Sequence, residues 1–507
     1  MKSFLILCLL LLAGGPFTRA QKPDKEKIIR LSREYFPKAI TEYREFLSLP
    51  NNGGIPEHRD LNVQWCLNRF EALGFTTRIL ESDGIPHVLA EKIVDPRAKT
   101  VLFYMQIDGQ PVDTAAWHQE SPYLPVLKKQ VGGQWQQVGW EVLEAVFNPE
   151  LRVFARSASD SKGPSMSLIS ALQILEDQSL SPAYNLKLLM DFQEELSSPT
   201  LPPLVRARPA LFSADRMIIM DGTRHLSNLP TLAYGGRGIA DLTLTVYGAT
   251  RNLHSGQYGN FAPNPVFKLA RLLGGMKDEY GRVTIPGFYE GVQITETDRQ
   301  AFALVPEDKA AIEKSLGIAE AERVGESYQE AMQYPSLNVR GLRAAWVGDE
   351  VRTIIPSEAI AEMDIRLVPE TDGMRQVQLV RQYIETMGFH ITDTLPTEDE
   401  RAEYPNLLRF RYELGSLPFR SDMHSDLGRW LRTSLERVFG DRYVELRMNG
   451  GSQPIAPFIT TLGIPAVSVR IPNPDNNIHA PNENLRMGNF LEGIQGCLSI
   501  LTQPLEE

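Results

Sequence analysis

Apolar runs of strand length alternate with helical segments between residues 100 and 220, and this alternation limits the fold more than any other feature. Residues 100–104, 186–190 and 217–220 are short apolar runs, typical of strands buried on both faces. Residues 164–175 have helical periodicity, with a proline near the first turn. The pattern predicts an α/β layer with a mainly parallel sheet.

The pattern of apolar and polar residues changes near Gly235. Residues 239–246 and 360–368 alternate apolar and polar positions, and residues 264–277 have helical periodicity. They predict a separate α+β domain with an antiparallel sheet. The α/β pattern then returns, and 507 residues are too many for one ordinary domain. We therefore expect the second domain to be inserted into the first, with a catalytic domain over residues 21–235 and 419–507 and an inserted domain over residues 236–418.

The first 20 residues have the features of a secretory signal peptide. Lys2 precedes an apolar run over residues 4–13, and Thr18-Arg19-Ala20 resembles a cleavage site. We expect cleavage after Ala20 and an exported protein, periplasmic or extracellular. An uncleaved anchor is the alternative, although the run is too short to span a bilayer as a stable helix.

Charge and cysteine usage exclude some functions. The formal net charge of −11 argues against nucleic acid as a partner. Cys66 and Cys497 do not have metal-ligand spacing, and both lie in apolar helical patterns. Two buried free thiols are therefore expected rather than a disulfide.

Five short segments carry side chains that can bind a divalent metal. Three of them follow apolar runs, and sites in α/β sheets form at the carboxyl ends of strands. Carboxylates and imidazoles are common ligands of Zn²⁺, and a bridging carboxylate lets two ions share one site. The segments are Gln106-Ile107-Asp108, Asp160-Ser161-Lys162-Gly163, Glu194-Glu195, Asp221 and His479.

Each segment alone has an ordinary explanation. A Glu-Glu pair is usually a solvated surface, a lone loop histidine is usually exposed, and Asp221-Gly222 is typical of a turn. The order of the segments favours a metal site instead. Adjacent side chains point in different directions, so one residue of Glu194-Glu195 can bind metal while the other acts as general base.

The ordered motifs resemble those of the di-zinc metallopeptidase family of carnosinases, aminoacylases and carboxypeptidase G, and they are most similar to carnosinase-type dipeptidases. The resemblance covers nearly all of the chain after residue 20. It rests on Gln106-Ile107-Asp108-Gly109-Gln110-Pro111 with Trp117, Arg156-Ser157-Ala158-Ser159-Asp160-Ser161-Lys162-Gly163-Pro164, Asp191-Phe192-Gln193-Glu194-Glu195, Leu253-His254-Ser255-Gly256, Gly450-Gly451-Ser452 and Ile478-His479-Ala480.

The resemblance implies two metal ions bridged by Asp160. Glu195 and His479 would complete one ion's ligands. Asp221 and Gln106 would complete the other's. Glu194 would be the general base that activates the water, and Asp108 would support the site.

The resemblance also implies a substrate pocket and a homodimer joined by the inserted domain, which would act as a lid. Arg366 would bind the substrate carboxylate, because a guanidinium suits bidentate contact with that group. Thr353 and Ser452 would line the pocket. His254 would reach into the partner subunit's site and stabilise the oxyanion.

Gln106 departs from the family pattern, which has histidine at this position. An amide oxygen is a weaker donor to zinc than an imidazole nitrogen and suits a harder ion such as Mn²⁺. We therefore expect one or two zinc ions, with Mn²⁺ as the alternative at the Gln106 and Asp221 side. Ala155, Ser157, Asp191 and Phe192 also differ from the pattern.

The leading hypothesis is an exported metal-dependent hydrolase of short peptides with a free C-terminal carboxylate. Gln106 favours a second hypothesis, a weak or inactive family member that binds peptide or metal. An N-acyl amino acid hydrolase of the same fold is a third, because the carboxylate contact would serve either substrate.

Overall fold

Two of the predicted strands lie side by side at the centre of an eight-stranded sheet in the computed structural model, which describes residues 22–145, 147–452 and 455–505. The predicted signal peptide, residues 1–20, lies outside the described residues. The elements up to residue 236 are α1 (Lys25–Leu47), α2 (Pro56–Ala72), β1 (Thr76–Ser82), β2 (Ile85–Lys92), β3 (Thr100–Gln106), β4 (Val126–Val131), β5 (Gln134–Val138), α3 (Val142–Ala145), β6 (Arg152–Phe154), α4 (Lys162–Asp177), β7 (Asn185–Asp191), α5 (Leu201–Ala207), α6 (Pro209–Phe212), β8 (Arg216–Ile219), β9 (Thr231–Ala233) and β10 (Gly235–Gly236).

The middle of the chain forms a second set of elements. They are β11 (Gly238–Tyr247), β12 (Leu253–His254), α7 (Ser255–Tyr258), α8 (Pro265–Gly274), α9 (Glu296–Ala303), α10 (Lys309–Leu316), α11 (Tyr328–Ala331), β13 (Ser336–Arg343), β14 (Ile354–Ile355), β15 (Glu358–Leu367), α12 (Gly373–Thr386), β16 (His390–Thr392), α13 (Glu398–Glu403) and β17 (Leu407–Leu414). The remaining elements are β18 (Phe419–Arg420), α14 (Asp426–Phe439), β19 (Val444–Leu446), α15 (Ala456–Leu462), β20 (Ala466–Arg470), β21 (Asn484–Arg486) and α16 (Met487–Thr502).

The eight-stranded sheet is mixed, with a parallel centre. Its order is β1-β2-β7-β3-β8-β20-β9-β19. β7, β3, β8 and β20 pair in parallel, whereas antiparallel pairs lie on either side of this centre. The predicted α/β class with a mainly parallel sheet is confirmed. The carboxyl ends of β7, β3 and β8 consequently meet at one edge.

β3 is apolar along most of its length because helices cover both of its faces. Val101, Phe103 and Met105 belong to one buried cluster with residues of α1, α4 and α16. Leu102 and Tyr104 belong to another cluster with residues of α5, α6 and α15. Each fully buried side chain of this kind contributes about 1.5–3 kcal/mol, so the packing fixes β3 as a rigid base for the residues that follow it.

The elements between residues 238 and 414 build a separate five-stranded sheet, in the order β13-β15-β11-β17-β16. Its pairs are antiparallel except β16 with β17. Ala240, Leu242 and Leu244 of β11 are buried in one cluster with residues of α8 and α12, which leaves the other face of the sheet open. The predicted antiparallel α+β unit is confirmed. α8 ends at Gly274, three residues before the predicted end, because a glycine pair is a poor continuation of a helix.

A third sheet, in the order β21-β6-β4-β5, connects distant parts of the chain. β21 pairs antiparallel with β6, so that Asn484 lies opposite Phe154. This pairing places the loop of residues 471–483 beside residues 155–161, where two of the predicted metal segments lie. This sheet was not predicted from the sequence.

Cys66 and Cys497 are buried and do not pair with each other, as expected. Within the part of the chain that the structure describes, no helix combines the length and apolarity needed to cross a bilayer.

Candidate metal centre

The predicted strand-end residues converge at one edge of the eight-stranded sheet. Gln106 is the last residue of β3, and Asp108 follows it. Glu194 and Glu195 form a short 3-10 turn after β7, and Asp221 follows β8. Because β7, β3 and β8 are parallel neighbours, all these side chains are brought to the same place.

Asp160, Glu195 and His479 form a compact set of metal-binding atoms. The Nε2 atom of His479 lies 2.9 Å from Oδ2 of Asp160 and 3.3 Å from Oε2 of Glu195. One ligand atom from each of the three lies within 4.8 Å of the others. The carboxylate side chains are only 6% and 4% exposed, whereas the imidazole is 54% exposed. The set can therefore hold an ion that is reachable from solvent.

The electrostatics of these groups fit a divalent cation. Burial and the charge of Asp160 raise the pKa of Glu195 to about 8. Burial also raises the pKa of Asp160 to about 6, although the hydrogen bond from His479 opposes this shift. The pKa of Glu194 lies well above its ordinary value because burial and the charges of Asp221, Asp160, Glu195 and Asp108 all disfavour a further negative charge. Two carboxylates and an imidazole form a common zinc donor set, and a bound cation would offset this repulsion.

Asp108 positions the glutamate pair. Its Oδ1 atom accepts a hydrogen bond from the backbone N–H of Glu194 at 2.9 Å, and its Oδ2 atom accepts one from Glu195 at 3.2 Å. Gln110 donates to Oε2 of Glu195 at 2.7 Å. The 3-10 turn that carries both carboxylates is thus fixed from the neighbouring strand end.

The side of the site that contains Asp221 differs from the compact set. Oδ1 of Asp221 accepts a hydrogen bond from the Ser161 hydroxyl at 2.6 Å, and Oδ1 of Asp160 lies 3.1 Å from the same hydroxyl. Gln106 is only 1% exposed, and its Nε2 atom has no hydrogen-bond partner. Gln106 ends β3, next to the strand that precedes Asp221, and the described residues form no second cluster of charged ligands around it.

Glu483 anchors the loop that carries Asp160. This buried carboxylate accepts hydrogen bonds from the backbone N–H groups of Ser157, Ser159 and Asp160 at 2.8–2.9 Å, and it forms an ion pair with Arg156 at 2.8 Å. Glu483 is not among the site residues predicted from the sequence. The available signal was its position four residues after His479, but nothing in that polar loop indicates burial.

Arg366 and Ser452, which the resemblance places in the substrate pocket, lie within hydrogen-bond distance of each other. Nη1 of Arg366 donates to Oγ of Ser452 at 3.1 Å, and its Nε donates to Asp364 at 3.2 Å. Burial and the charge of Arg366 lower the pKa of Arg237 to about 10. The side-chain hydrogen bond crosses from the five-stranded sheet to the loop after β19, so it joins the two units.

His254 and Thr353 are exposed and lie together on the inserted unit. His254 pairs with Ile354 in the small sheet of β12 and β14, and the backbone N–H of Ser255 donates to the Thr353 carbonyl at 3.2 Å. No hydrogen bond or ion pair links either residue to Asp160, Glu195 or His479 within the described parts of the chain. A single subunit therefore does not bring these two predicted site residues into the metal centre.

Comparison with known proteins supports a peptidase relationship. The family model of the peptidase dimerisation domain matches residues 234–391. The chain is 26% identical over 416 residues to the Cys-Gly metallodipeptidase dug1 of Schizosaccharomyces pombe, which covers 81% of each chain. It is 26% identical over 414 residues to the human Beta-Ala-His dipeptidase, and this alignment covers 80% of this chain and 75% of the relative. An M20 family metallo-carboxypeptidase from Sulfolobus solfataricus has a TM-score of 0.74 at 27% identity, covering 92% of this chain and 98% of that chain.

The expectation of an exported protein is wrong. The Cys-Gly metallodipeptidases of yeasts, to which the chain is similar over most of its length, are cytosolic enzymes. A charged residue followed by a short apolar run gives the appearance of a signal peptide, but composition alone does not establish that such a segment directs export.

Proposed function

We propose that this chain, a hydrolytic peptidase similar to M20 metallopeptidases, cleaves dipeptides that carry a free C-terminal carboxylate. The observation that carries this proposal is the convergence of Asp160, Glu195 and His479 within 4.8 Å, beside Glu194.

Asp160, Glu195 and His479 would hold a divalent ion, for which we propose Zn²⁺. When bound, such an ion acts as a Lewis acid on the peptide carbonyl and lowers the pKa of water. Gln110 and Glu483 keep two of the three ligands in place, because they hold the Glu195 carboxylate and the backbone of Asp160. The ligand geometry therefore depends on residues outside the ligand set.

Glu194 is proposed as the group that takes a proton from the attacking water and passes it to the leaving amine. Its electrostatic neighbours include Asp160 and Glu195, and Asp108 fixes its backbone. A cation in the centre would return the raised pKa of Glu194 towards the range in which a carboxylate both accepts and gives up protons near neutral pH.

Arg366 and Ser452 are proposed to bind the substrate's C-terminal carboxylate. The guanidinium is one-third exposed and already oriented by Asp364 and Ser452, so it offers free donors to a planar anion. Thr353 lies beside His254 on the inserted unit, so it would contribute to the pocket of the other subunit in a dimer. An N-acyl amino acid also ends in a free carboxylate, so this contact alone does not select the peptide.

Substrate class can be tested with purified protein and a small panel of compounds. Cys-Gly and β-Ala-His, their C-terminal amides, and N-acetyl amino acids should be compared with and without a chelator. We expect hydrolysis of the free dipeptides, loss of activity with chelator and recovery on adding metal. Faster hydrolysis of N-acetyl amino acids than of any dipeptide would contradict the proposed substrate class.

Arg366→Met should then raise KM for the free dipeptides and reduce their preference over the amides. Arg340 is a matched control, because it is another half-exposed arginine at the five-stranded sheet and pairs with Asp241. Arg340→Met should leave the preference unchanged. An Arg366 variant that still distinguishes acid from amide would remove Arg366 from this role.

We further propose that residues 236–418 act as a lid and dimerisation unit inserted between catalytic segments 21–235 and 419–507. The dimerisation-domain match over residues 234–391 supports a homodimer. The hydrogen bond between Arg366 and Ser452 supports a lid, because it joins the two units across the proposed pocket.

A further inference from the structure

The Asp221 side of the metal centre contains features that oppose a second ion. This matters because the resemblance implies two ions, and the inference here rests on the proposed metallopeptidase function. These features involve three residues: Gln106, Ser161 and Arg470.

Gln106 is a poor second-site ligand. It replaces an imidazole by an amide, whose oxygen is a weaker donor to zinc and whose nitrogen does not bind metal. The side chain is 1% exposed, and its Nε2 atom has no hydrogen-bond partner. Position 106 therefore carries an uncharged amide where the family pattern has a metal-binding imidazole.

Ser161 already uses one oxygen of Asp221. Its hydroxyl donates to Oδ1 at 2.6 Å, which is a short, charge-assisted hydrogen bond. An ion that used this oxygen would have to compete with that bond.

Arg470 places a fixed positive charge beside Asp221. It ends β20, the strand next to β8, and its guanidinium packs on the backbone of Gly222. A Cβ at Gly222 would lie 2.8 Å from Cζ and 2.9 Å from Nη2 of Arg470, so only glycine allows this approach. Nη1 donates to the Thr223 carbonyl at 3.0 Å, while Nε is buried without a partner.

The charge state of Arg470 supports this role. Burial lowers its pKa to about 10, and the negative charge of Asp221 opposes that shift. The guanidinium is consequently protonated at neutral pH. A cation beside a carboxylate neutralises part of the carboxylate's negative charge, and it repels a divalent ion that approaches the same group.

We propose that each subunit binds one divalent ion, through Asp160, Glu195 and His479, and that Arg470 supplies the second positive charge of the site. The Asp221 side is then a fixed, metal-free part of the centre. Gln106 and Arg470 both disfavour a second ion in this proposal. Gln106 takes the place of an imidazole ligand, and Arg470 adds a positive charge.

Metal stoichiometry tests the proposal independently of turnover. Apo protein should be titrated with Zn²⁺ and, separately, with Mn²⁺ by calorimetry, and bound metal should be counted by mass spectrometry after dialysis. We expect one ion per chain in the wild type. Gln106→His and Arg470→Met should each strengthen binding of a second ion by about tenfold or more, and the double variant should approach two ions per chain.

Arg216 provides a matched control, because it is a buried arginine at the opposite end of β8. Arg216→Met should remain at one ion. Two tightly bound ions in the wild type, of either metal, would overturn the proposal even if every variant failed to fold. A folded double variant that stays at one ion would overturn it as well.

The outcomes separate this proposal from the proposed function. Hydrolysis of dipeptides by a wild-type protein that holds two ions would refute only the single-ion site. A wild-type protein with one ion that hydrolyses neither dipeptides nor N-acetyl amino acids would refute only the proposed activity.

Discussion

The protonation of His479 links metal binding to pH. In the metal-free protein the hydrogen bond to Asp160 raises the pKa of His479 to about 9, so the ring carries a proton at pH 7. Metal binding requires the neutral imidazole, and this proton must leave when an ion binds. The proton of Glu195, whose pKa is about 8, must leave as well. We therefore expect the apparent affinity for Zn²⁺ to rise by about ten- to a hundredfold per pH unit between pH 6 and 8, measured by titration in several buffers. An affinity that is flat across this range would contradict the assignment of His479 as a ligand.

Glu194 is expected to matter for turnover and not for metal retention. Glu194→Gln removes the proton acceptor but leaves Asp160, Glu195 and His479 intact. Turnover should fall by about 10²- to 10⁴-fold, while metal content stays at the wild-type level. Glu362→Gln, on the exposed face of β15, serves as the control. Turnover within a few-fold of the wild type would show that another group takes the proton.

The site residues that sequence could predict are those whose position follows from the strand pattern. Gln106, Glu194 and Asp221 each follow an apolar run, and parallel strands bring such ends together. Arg470 and Glu483 could not be found in this way. Their roles depend on contacts with Gly222 and Arg156, which are more than 200 residues away in the chain and come together only in the fold.

At the level of elements, packing of both sheet faces was predictable and pairing across long chain separations was not. The apolar run of β3 predicts a buried strand because its alternate side chains face two helix layers. The pairing of β6 with β21 has no comparable pattern, since each strand has only three residues. That short pairing nevertheless sets the position of Glu483 and the Asp160 loop.

Glu483→Gln should weaken this junction. The substitution leaves Arg156 without its buried charge partner and replaces one acceptor oxygen by a donor among several N–H groups. We expect a loss of about 3–5 kcal/mol in the free energy of unfolding, together with weaker metal binding. Asp475→Asn is the control in the same loop, because its ion pair with Arg152 involves a 66% exposed carboxylate. It should cost about 1 kcal/mol or less. Equal losses in both variants, measured by denaturant titration, would show that Glu483 has no special role.

At the scale of the whole molecule, exposed His254 lies on the inserted unit without a contact to the metal cluster in the described residues of its own chain. A symmetric dimer can bring such a residue to the other subunit's centre. We therefore expect a dimer in solution, and His254→Ala should be dimeric and slow. When it is mixed with Glu194→Gln, each heterodimer has one site with both Glu194 and His254 and one site with neither. Random subunit exchange makes half of the dimers heterodimers, so about a quarter of all sites should recover the wild-type rate. Light scattering and activity after mixing provide the measurement. A fully active monomer, or mixed subunits that exchange without recovery, would exclude the shared site.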